Sequence, residues 1–130
     1  MGAFDMLRIA NSSLGMHQTW LDSLAHNIAN ANTVKATSES AFQSQMVVAT
    51  ARPDGGVDVS GIELGDAEGI LEYAPDHPLA DADGYVRTPA MDMSVQMTSL
   101  VQAQRGFQAS VQVTKTAQDT YNAALQIGQG

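Results

Sequence analysis

The sequence predicts a mainly α fold in which long N- and C-terminal helices form an antiparallel coiled-coil hairpin, with a small β-rich insertion between them. Apolar residues at both ends of the chain recur at alternating intervals of three and four, the pattern of helices that pack side by side. The middle is instead rich in glycine, proline and acidic residues, with short apolar runs typical of strands. We therefore divide the chain into an N-terminal helix (1–33), the insertion (34–90) and a C-terminal helix (91–130), the two helices forming one core domain.

The N-terminal helix is predicted from Phe4 to about Asn30. Two stripes of residues run along it, about 100° apart at 3.6 residues per turn. The first stripe is Leu7, Ala10, Leu14, His17, Leu21, Leu24 and Ile28. The second stripe is Met6, Ile9, Ser13, Met16 and Trp20. The apolar arc is thus wider than one partner helix can cover.

The stretch "LAHNIANANT" from Leu24 to Thr33 places three asparagines at the end of this helix, at Asn27, Asn30 and Asn32. Asparagine side chains compete for backbone hydrogen bonds and favour caps and turns. The pattern predicts that the helix stops here. Neutral amides also direct hydrogen bonds without a buried charge, so they could pair with adjoining segments or subunits.

The insertion carries ten of the fourteen acidic residues of the chain. The runs "FQSQMVVA" and "GVDVSGIEL" predict two strands, and "RPDGG" between them predicts a turn. "GILEY" and "GYVR" predict two further short strands. The pairing of the strands does not follow from the sequence.

The C-terminal helix is predicted from Met93 to Ile127, with Pro89 just before it. Its first stripe is Met93, Met97, Leu100, Gln104, Phe107, Val111, Thr114, Gln118, Tyr121 and Leu125. Its second stripe consists almost entirely of small residues: Ser99, Ala103, Gly106, Ser110, Val113, Ala117, Thr120, Ala124 and Ile127. Small side chains let another helix backbone approach closely.

The stripes permit two interpretations. In one, the insertion folds back over the second stripe and all contacts lie within the chain. In the other, which we prefer, the second stripes contact other subunits. The residues predicted for the intrachain contact are Leu7, Leu14, Leu21, Leu24, Ile28, Met97, Leu100, Phe107, Val111, Tyr121 and Leu125. Those predicted to pack between subunits are Met6, Ile9, Met16, Trp20, Asn27, Asn30, Asn32, Ala103, Gly106, Ser110, Val113, Ala117, Ala124 and Ile127.

The charge and composition exclude several classes of function. A net charge of −8 argues against binding to nucleic acid or to an anionic membrane surface. The chain has no cysteine, which excludes disulfides and thiol chemistry. The N-terminal residues contain no continuous apolar run, so we expect neither a cleaved signal peptide nor a membrane-spanning helix.

No motif predicts catalysis, a cofactor, a metal or a small-molecule substrate. His17 and His26 are nine residues apart and fall on opposite helix faces, and His77 lies in a loop flanked by proline. The stretch "LADADG" has the spacing of a calcium loop, but Leu79 and Ala90 occupy positions where such a loop needs oxygen ligands. A turn is the better interpretation. We predict that the chain is not an enzyme.

Three stretches together are similar to the bacterial flagellar axial proteins, and among these to the proximal-rod subunits. "NIANANT" matches the pattern N-[IL]-A-N-x-[ND]-[ST], and "HPLADADGYVRTPAMDM" precedes the last helix as in that family. The stretch beginning "SLVQAQRGFQA" contains the family's R-x-[FY]-Q-A core at Arg105, Phe107, Gln108 and Ala109. The resemblance covers well over half of the chain and is weak from about Glu39 to Tyr73. The T-x-G-Y turn that follows the asparagines in many axial proteins is absent, which favours the proximal rod over hook or distal-rod subunits.

The resemblance implies a structural subunit that assembles with copies of itself and with other rod subunits into a rod crossing the periplasm. It also implies passage through the flagellar type III export apparatus without a cleaved signal peptide. The alternative is an oligomeric coiled-coil adaptor or export-linked binding protein, which would form a discrete oligomer in solution.

Overall fold

The computed structural model describes residues 2–130 and confirms the predicted fold class. Along the chain, two small antiparallel sheets lie between two long helices. The elements are α1 (Ala3–Ala29), β1 (Gln45–Ala51), β2 (Val57–Leu64), β3 (Ile70–Tyr73), β4 (Tyr85–Thr88) and α2 (Met93–Gly128). Every predicted helix and strand is present, with ends within a few residues of the sequence prediction.

Side chains cap the ends of the helices. At the start of α1, the Gly2 N–H donates to the carboxylate of Asp5 at 3.3 Å. At the start of α2, the Asp92 carboxylate accepts from the N–H groups of Ser94 and Val95. These bonds satisfy N–H groups that have no partner inside a helix. Asn30 ends α1, and its amide donates to the His26 carbonyl at 2.9 Å, which confirms the predicted helix stop.

The two helices are antiparallel in a constant register. Asn27 bonds to Gln96, His17 lies against Gly106, and Ser13 bonds to Ser110. Each step forward along α1 therefore matches an equal step back along α2. This register places Ala3, the first residue of α1, opposite Thr120, so the last two turns of α2 extend past the described start of α1.

The face of α2 that packs on α1 is centred on the second stripe, whereas the sequence predicted the first stripe. Ala103, Ser110 and Ala117 of the second stripe are buried, and they are flanked by half-buried Leu100, Phe107, Thr114 and Tyr121 of the first stripe. Met97, Val111 and Leu125, which the sequence assigned to the intrachain contact, are instead exposed and lie outside the buried centre of the contact. The physical reason is that small side chains at the centre of the contact allow the backbones to approach, while larger ones pack at its edge.

The first stripe of α1 agrees better with the structure. Leu24 and Ala10 are buried, while Leu7, Leu14, Leu21 and Ile28 are half-buried. Helical geometry places these last four on the side of the contact that also carries Leu100 and Phe107.

The β1–β2 hairpin lies along α1 and covers part of its second stripe. Val47 and Ala49 of β1 line a small cavity with Met16 and Trp20. At the hairpin turn, Arg8 donates to the Asp54 carboxylate at 2.7 Å and to the Asp54 carbonyl at 2.9 Å. The inserted segment thus folds back over part of the second stripe of α1, as in the interpretation that places all contacts within the chain.

Gly56 allows the hairpin turn to approach α1 closely. Its φ is +92°, and a Cβ atom there would lie 2.6 Å from Ser12 Oγ. The same hydroxyl accepts a hydrogen bond from the N–H of Val57 at 3.1 Å. The "RPDGG" turn therefore fixes both the hairpin and its seat on the helix.

The β3–β4 hairpin forms a second small unit with the segment that follows α1. Val86 of β4, Ala41 and Pro89 are buried in this part of the chain. Lys35 and Arg87 exchange two backbone hydrogen bonds of 2.8 Å, and the Arg87 guanidinium donates to the carbonyls of Thr37 and Glu68. These bonds tie the loop after α1 to the strand that leads into α2.

Candidate assembly surfaces

An uncharged groove of about 480 Å³ lies between the N-terminal half of α1 and the middle of α2. It is lined by Met6, Ile9, Ala10, Ser13, His17, Gly106, Ala109, Ser110 and Val113. Most of these side chains are apolar or small, and His17 is the one titratable group among them. The groove can therefore bury an apolar helix or side chain without desolvating a carboxylate or an ammonium group.

A cluster of polar groups spans the two helices at the groove floor. The Oγ atoms of Ser13 and Ser110 are 2.9 Å apart, and the Ser110 hydroxyl also donates to the Gly106 carbonyl at 2.8 Å. His17 Nδ1 lies 2.8 Å from the Ser13 carbonyl oxygen. A carbonyl oxygen can only accept, so Nδ1 carries a proton and donates. These bonds fix the imidazole and the register of the helices.

Gly106 of α2 lies against the His17 ring of this cluster. A Cβ atom at this position would overlap the His17 imidazole at Nε2 and Cδ2. Glycine costs about 1 kcal/mol relative to alanine inside a helix. The structure supplies a reason for it, because the ring occupies the space that a side chain would need.

Asn27 joins three elements and is only 1% exposed. Its amide donates to the Gln45 carbonyl at 2.9 Å and to Gln96 Oε1 at 3.0 Å, while its own oxygen accepts from the Gln45 N–H at 2.7 Å. Both N–H groups of the Asn27 side chain and its oxygen thus have hydrogen-bond partners within the chain. The predicted intersubunit contact of Asn27 is replaced here by pairing with adjoining segments.

The other predicted intersubunit residues fall into two groups. The first group is buried or half-buried within the chain. Its buried members are Ala103, Ser110 and Ala117, and its half-buried members are Ile9, Met16, Trp20 and Gly106. Ile9, Gly106 and Ser110 of this group also line the groove, so part of their surface is open to another subunit. Contact between subunits stays a prediction for this group. The second group keeps exposed or half-exposed side chains: Met6, Asn30, Asn32, Val113, Ala124 and Ile127.

Two contacts were missed by the sequence reasoning. Arg8 bonds to Asp54 across 46 residues, and Gln96 meets Asn27 across 69 residues. Arg8 is the only lysine or arginine in 1–33. The acidic residue of the "RPDGG" turn is the one feature of the sequence that could have suggested its partner. Nothing local marks Gln96, because many other glutamines of α2 occupy similar positions.

The three histidines lie in separate environments. His17 belongs to the groove, His26 packs against Phe42 with ring centroids 5.2 Å apart, and His77 Nδ1 accepts from the Leu79 N–H. Within residues 2–130, no three histidine or acidic side chains form a group that could hold a metal ion. Neither helix in that range combines the length and hydrophobicity needed to cross a membrane.

The "LADADG" stretch forms a turn held by Asp81. One carboxylate oxygen of Asp81 accepts from the N–H groups of Asp83 and Tyr85, and the other accepts from the Thr37 hydroxyl. Hydrogen bonding to the charged form, chiefly from the Tyr85 N–H, holds the pKa of this carboxyl below its ordinary value. The Asp81 carboxylate therefore stabilises the turn through these hydrogen bonds.

Comparison with known proteins places this architecture in a class. Residues 82–127 match the family model described as the flagellar basal body rod FlgEFG protein C-terminal. That range contains β4 and almost all of α2, the helix that forms one wall of the groove. The class is that of the flagellar basal-body rod proteins.

Relatives that match nearly the whole chain identify the family within this class. A flagellar basal-body rod protein FlgC from Salmonella typhimurium is 32% identical over 134 residues, covering 99% of this chain and all of the relative. FlgC proteins of Borreliella burgdorferi and Bacillus subtilis are 26% and 28% identical, each over at least 98% of this chain and 99% of the relative. The chain belongs to the FlgC family of flagellar basal-body rod proteins.

Family membership confirms the resemblance predicted from the terminal stretches. It makes the chain a structural rod subunit of the flagellar basal body rather than an enzyme, as the sequence predicted. The coiled-coil adaptor is set aside on the same ground.

Proposed function

We propose that the chain self-assembles, and assembles with other rod subunits, through the parts of α1 and α2 left uncovered within the chain. The groove between Met6 and Val113 is the observation that carries this proposal. It is apolar and uncharged, and it is flanked by exposed members of the second stripes. An isolated helix pair leaves such a surface in water, whereas a packed rod would bury it.

Charge is distributed in a way that favours contact through the helices. Ten acidic and three basic residues lie between residues 34 and 90, so the insertion holds nearly all of the net negative charge. The two helical segments together are close to neutral. Subunits that meet through their helices avoid the repulsion that contact between insertions would bring.

The proposed role extends to location and export. The rod formed by these subunits crosses the periplasm, and the chain reaches it through the flagellar type III export apparatus without removal of an N-terminal signal.

Deletion of the gene in its host, followed by electron microscopy of detergent-extracted basal bodies, tests the rod role. We expect loss of the rod and hook with the membrane-embedded ring retained, and recovery when the unaltered gene is restored. Intact, rotating flagella in the deletion strain would overturn the proposal.

Mass spectrometry of the chain recovered from restored basal bodies tests the export route. We expect an N-terminus from which no signal segment has been removed, and retention of the chain in the cytoplasm when the flagellar export apparatus is inactive. A chain shortened at its N-terminus, or one that reaches the periplasm without that apparatus, would contradict the route.

A further inference from the structure

The C-terminal end of α2 has no partner along the described part of α1. The helix register places Thr120 opposite Ala3, so residues 121–128 project beyond the helix pair by roughly 12 Å at about 1.5 Å per residue. From residue 122 onward every side chain is exposed, and Ile127 is 81% exposed. A helical end of this kind is marginal in water unless it packs against something.

The projecting end is uncharged. Asp119 is the last charged side chain of the sequence, and the residues after it are "TYNAALQIGQG". Leu125 and Ile127 supply its large exposed apolar groups, half-buried Tyr121 lies at its base, and Ala124 leaves room for close approach. In a chain of net charge −8, this end and the groove are two surfaces that can meet without bringing acidic groups together.

The dimensions of the two surfaces also agree. The groove extends along α1 from Met6 to His17, roughly 17 Å of helix, and the projecting end is roughly 12 Å long. At the open edge of the groove, Val113 is 55% exposed and Met6 is 40% exposed. Burying such side chains contributes roughly 25 cal/mol for each Å² of apolar surface removed from water.

We propose that the projecting end of α2 in one copy of the chain occupies the groove of a second copy. The groove cannot receive the end of its own α2, because α2 is one continuous helix and its end points away from Val113. The contact is therefore head-to-tail, with different surfaces from each copy. Contacts of this type build rings or open helical assemblies rather than two-fold dimers. The inference rests on the proposed self-assembly and specifies the surfaces that meet.

Disulfide trapping with the purified full-length chain tests the contact directly, since the natural sequence has no cysteine. Two single variants, Val113→Cys in the groove and Ile127→Cys on the projecting end, are mixed and oxidised. We expect a disulfide between Cys side chains of the two variants, severalfold more abundant than any product from either variant alone. Val111→Cys, an exposed valine on another face of α2, replaces Val113→Cys in the matched control and should give little product with Ile127→Cys.

Three results would overturn the inference. The first is equal cross-linking in the Val111→Cys control, which would indicate random collision. The second is cross-linking of Ile127→Cys with itself as efficient as in the mixture, which would indicate a symmetric contact between two helix ends. The third is no Val113–Ile127 product at concentrations up to those at which the chain associates or reaches its solubility limit. Each can occur while the deletion strain still lacks a rod, so failure here is distinguishable from failure of the proposed function.

Discussion

Asn27 and Gln45 exchange two hydrogen bonds: the Gln45 N–H donates to Asn27 Oδ1 at 2.7 Å, and Asn27 Nδ2 donates to the Gln45 carbonyl at 2.9 Å. The helix side chain thus acts as a strand neighbour for the first residue of β1. The Asn27 amide is taken out of water, since Asn27 is buried, while Gln45 is half-buried. A single amide near the end of α1 therefore holds the start of β1 against the helix, while Arg8 and Ser12 hold the hairpin turn.

Replacement of Asn27 by alanine should destabilise the fold. It leaves the N–H and carbonyl of Gln45 without this partner, and each unpaired buried polar group costs about 1–3 kcal/mol. We expect Asn27→Ala to lower the free energy of unfolding by about 3 kcal/mol in urea denaturation followed by circular dichroism. Asn32→Ala, at an exposed asparagine five residues on, should change it by less than about 0.5 kcal/mol. Equal effects would contradict the role assigned to Asn27.

Gly106→Ala should weaken the helix pair despite the higher helix propensity of alanine. The added methyl group overlaps the His17 ring, which its bonds to Ser13 and Ser110 hold in place. We expect a net loss of about 1–3 kcal/mol, as for overpacked cores. The loss should shrink when Gly106→Ala is made in a His17→Ala background. Strict additivity in this double-mutant cycle would show that the ring and the methyl group do not meet.

The corrected packing face of α2 can be tested by enlarging residues. Ala103 is 0% exposed, so Ala103→Leu should lower the free energy of unfolding by about 1–3 kcal/mol. Val111→Leu also enlarges an apolar side chain of α2 but acts at an exposed position, and it should change stability by less than about 0.5 kcal/mol. Chemical denaturation of the two variants gives the comparison. A larger loss at Val111 would restore the face predicted from the sequence.

The turn at Asp81 should lose stability in acid. The Tyr85 N–H and the other donors hold the folded-state pKa of Asp81 below the ordinary value of 3.8. Because the pKa is lower in the folded chain, the stabilisation is present above about pH 3.8 and is lost as the pH falls through the folded pKa. A carboxyl ¹³C titration of Asp81 should have its midpoint below 3.8, and Thr37→Val should raise it by removing one donor. A midpoint at or above 3.8 would contradict this account.

The sequence determined the local structure of this protein. Heptad spacing specified both helices, "RPDGG" and the neighbouring alternating runs specified the first hairpin, and the asparagines specified the end of α1. These features depend on neighbours a few residues apart, so they can be read from spacing and residue type. The terminal stretches also carried enough of the family pattern to indicate a rod subunit.

The tertiary structure decided which side of each helix faces inward. A heptad pattern shows that a stripe exists, but Ala103 and Met97 both fit a helical period, and the preference between them comes from how near the backbones approach. Small residues occupy the centre of the contact because larger side chains there would hold the two backbones apart. At Gly106, the His17 ring fills the space that a side chain would need. Asn27 could be assigned only when the strand 18 residues later was seen beside it. Contacts of that kind join distant parts of the chain, and their energy depends on geometry that local periodicity does not contain.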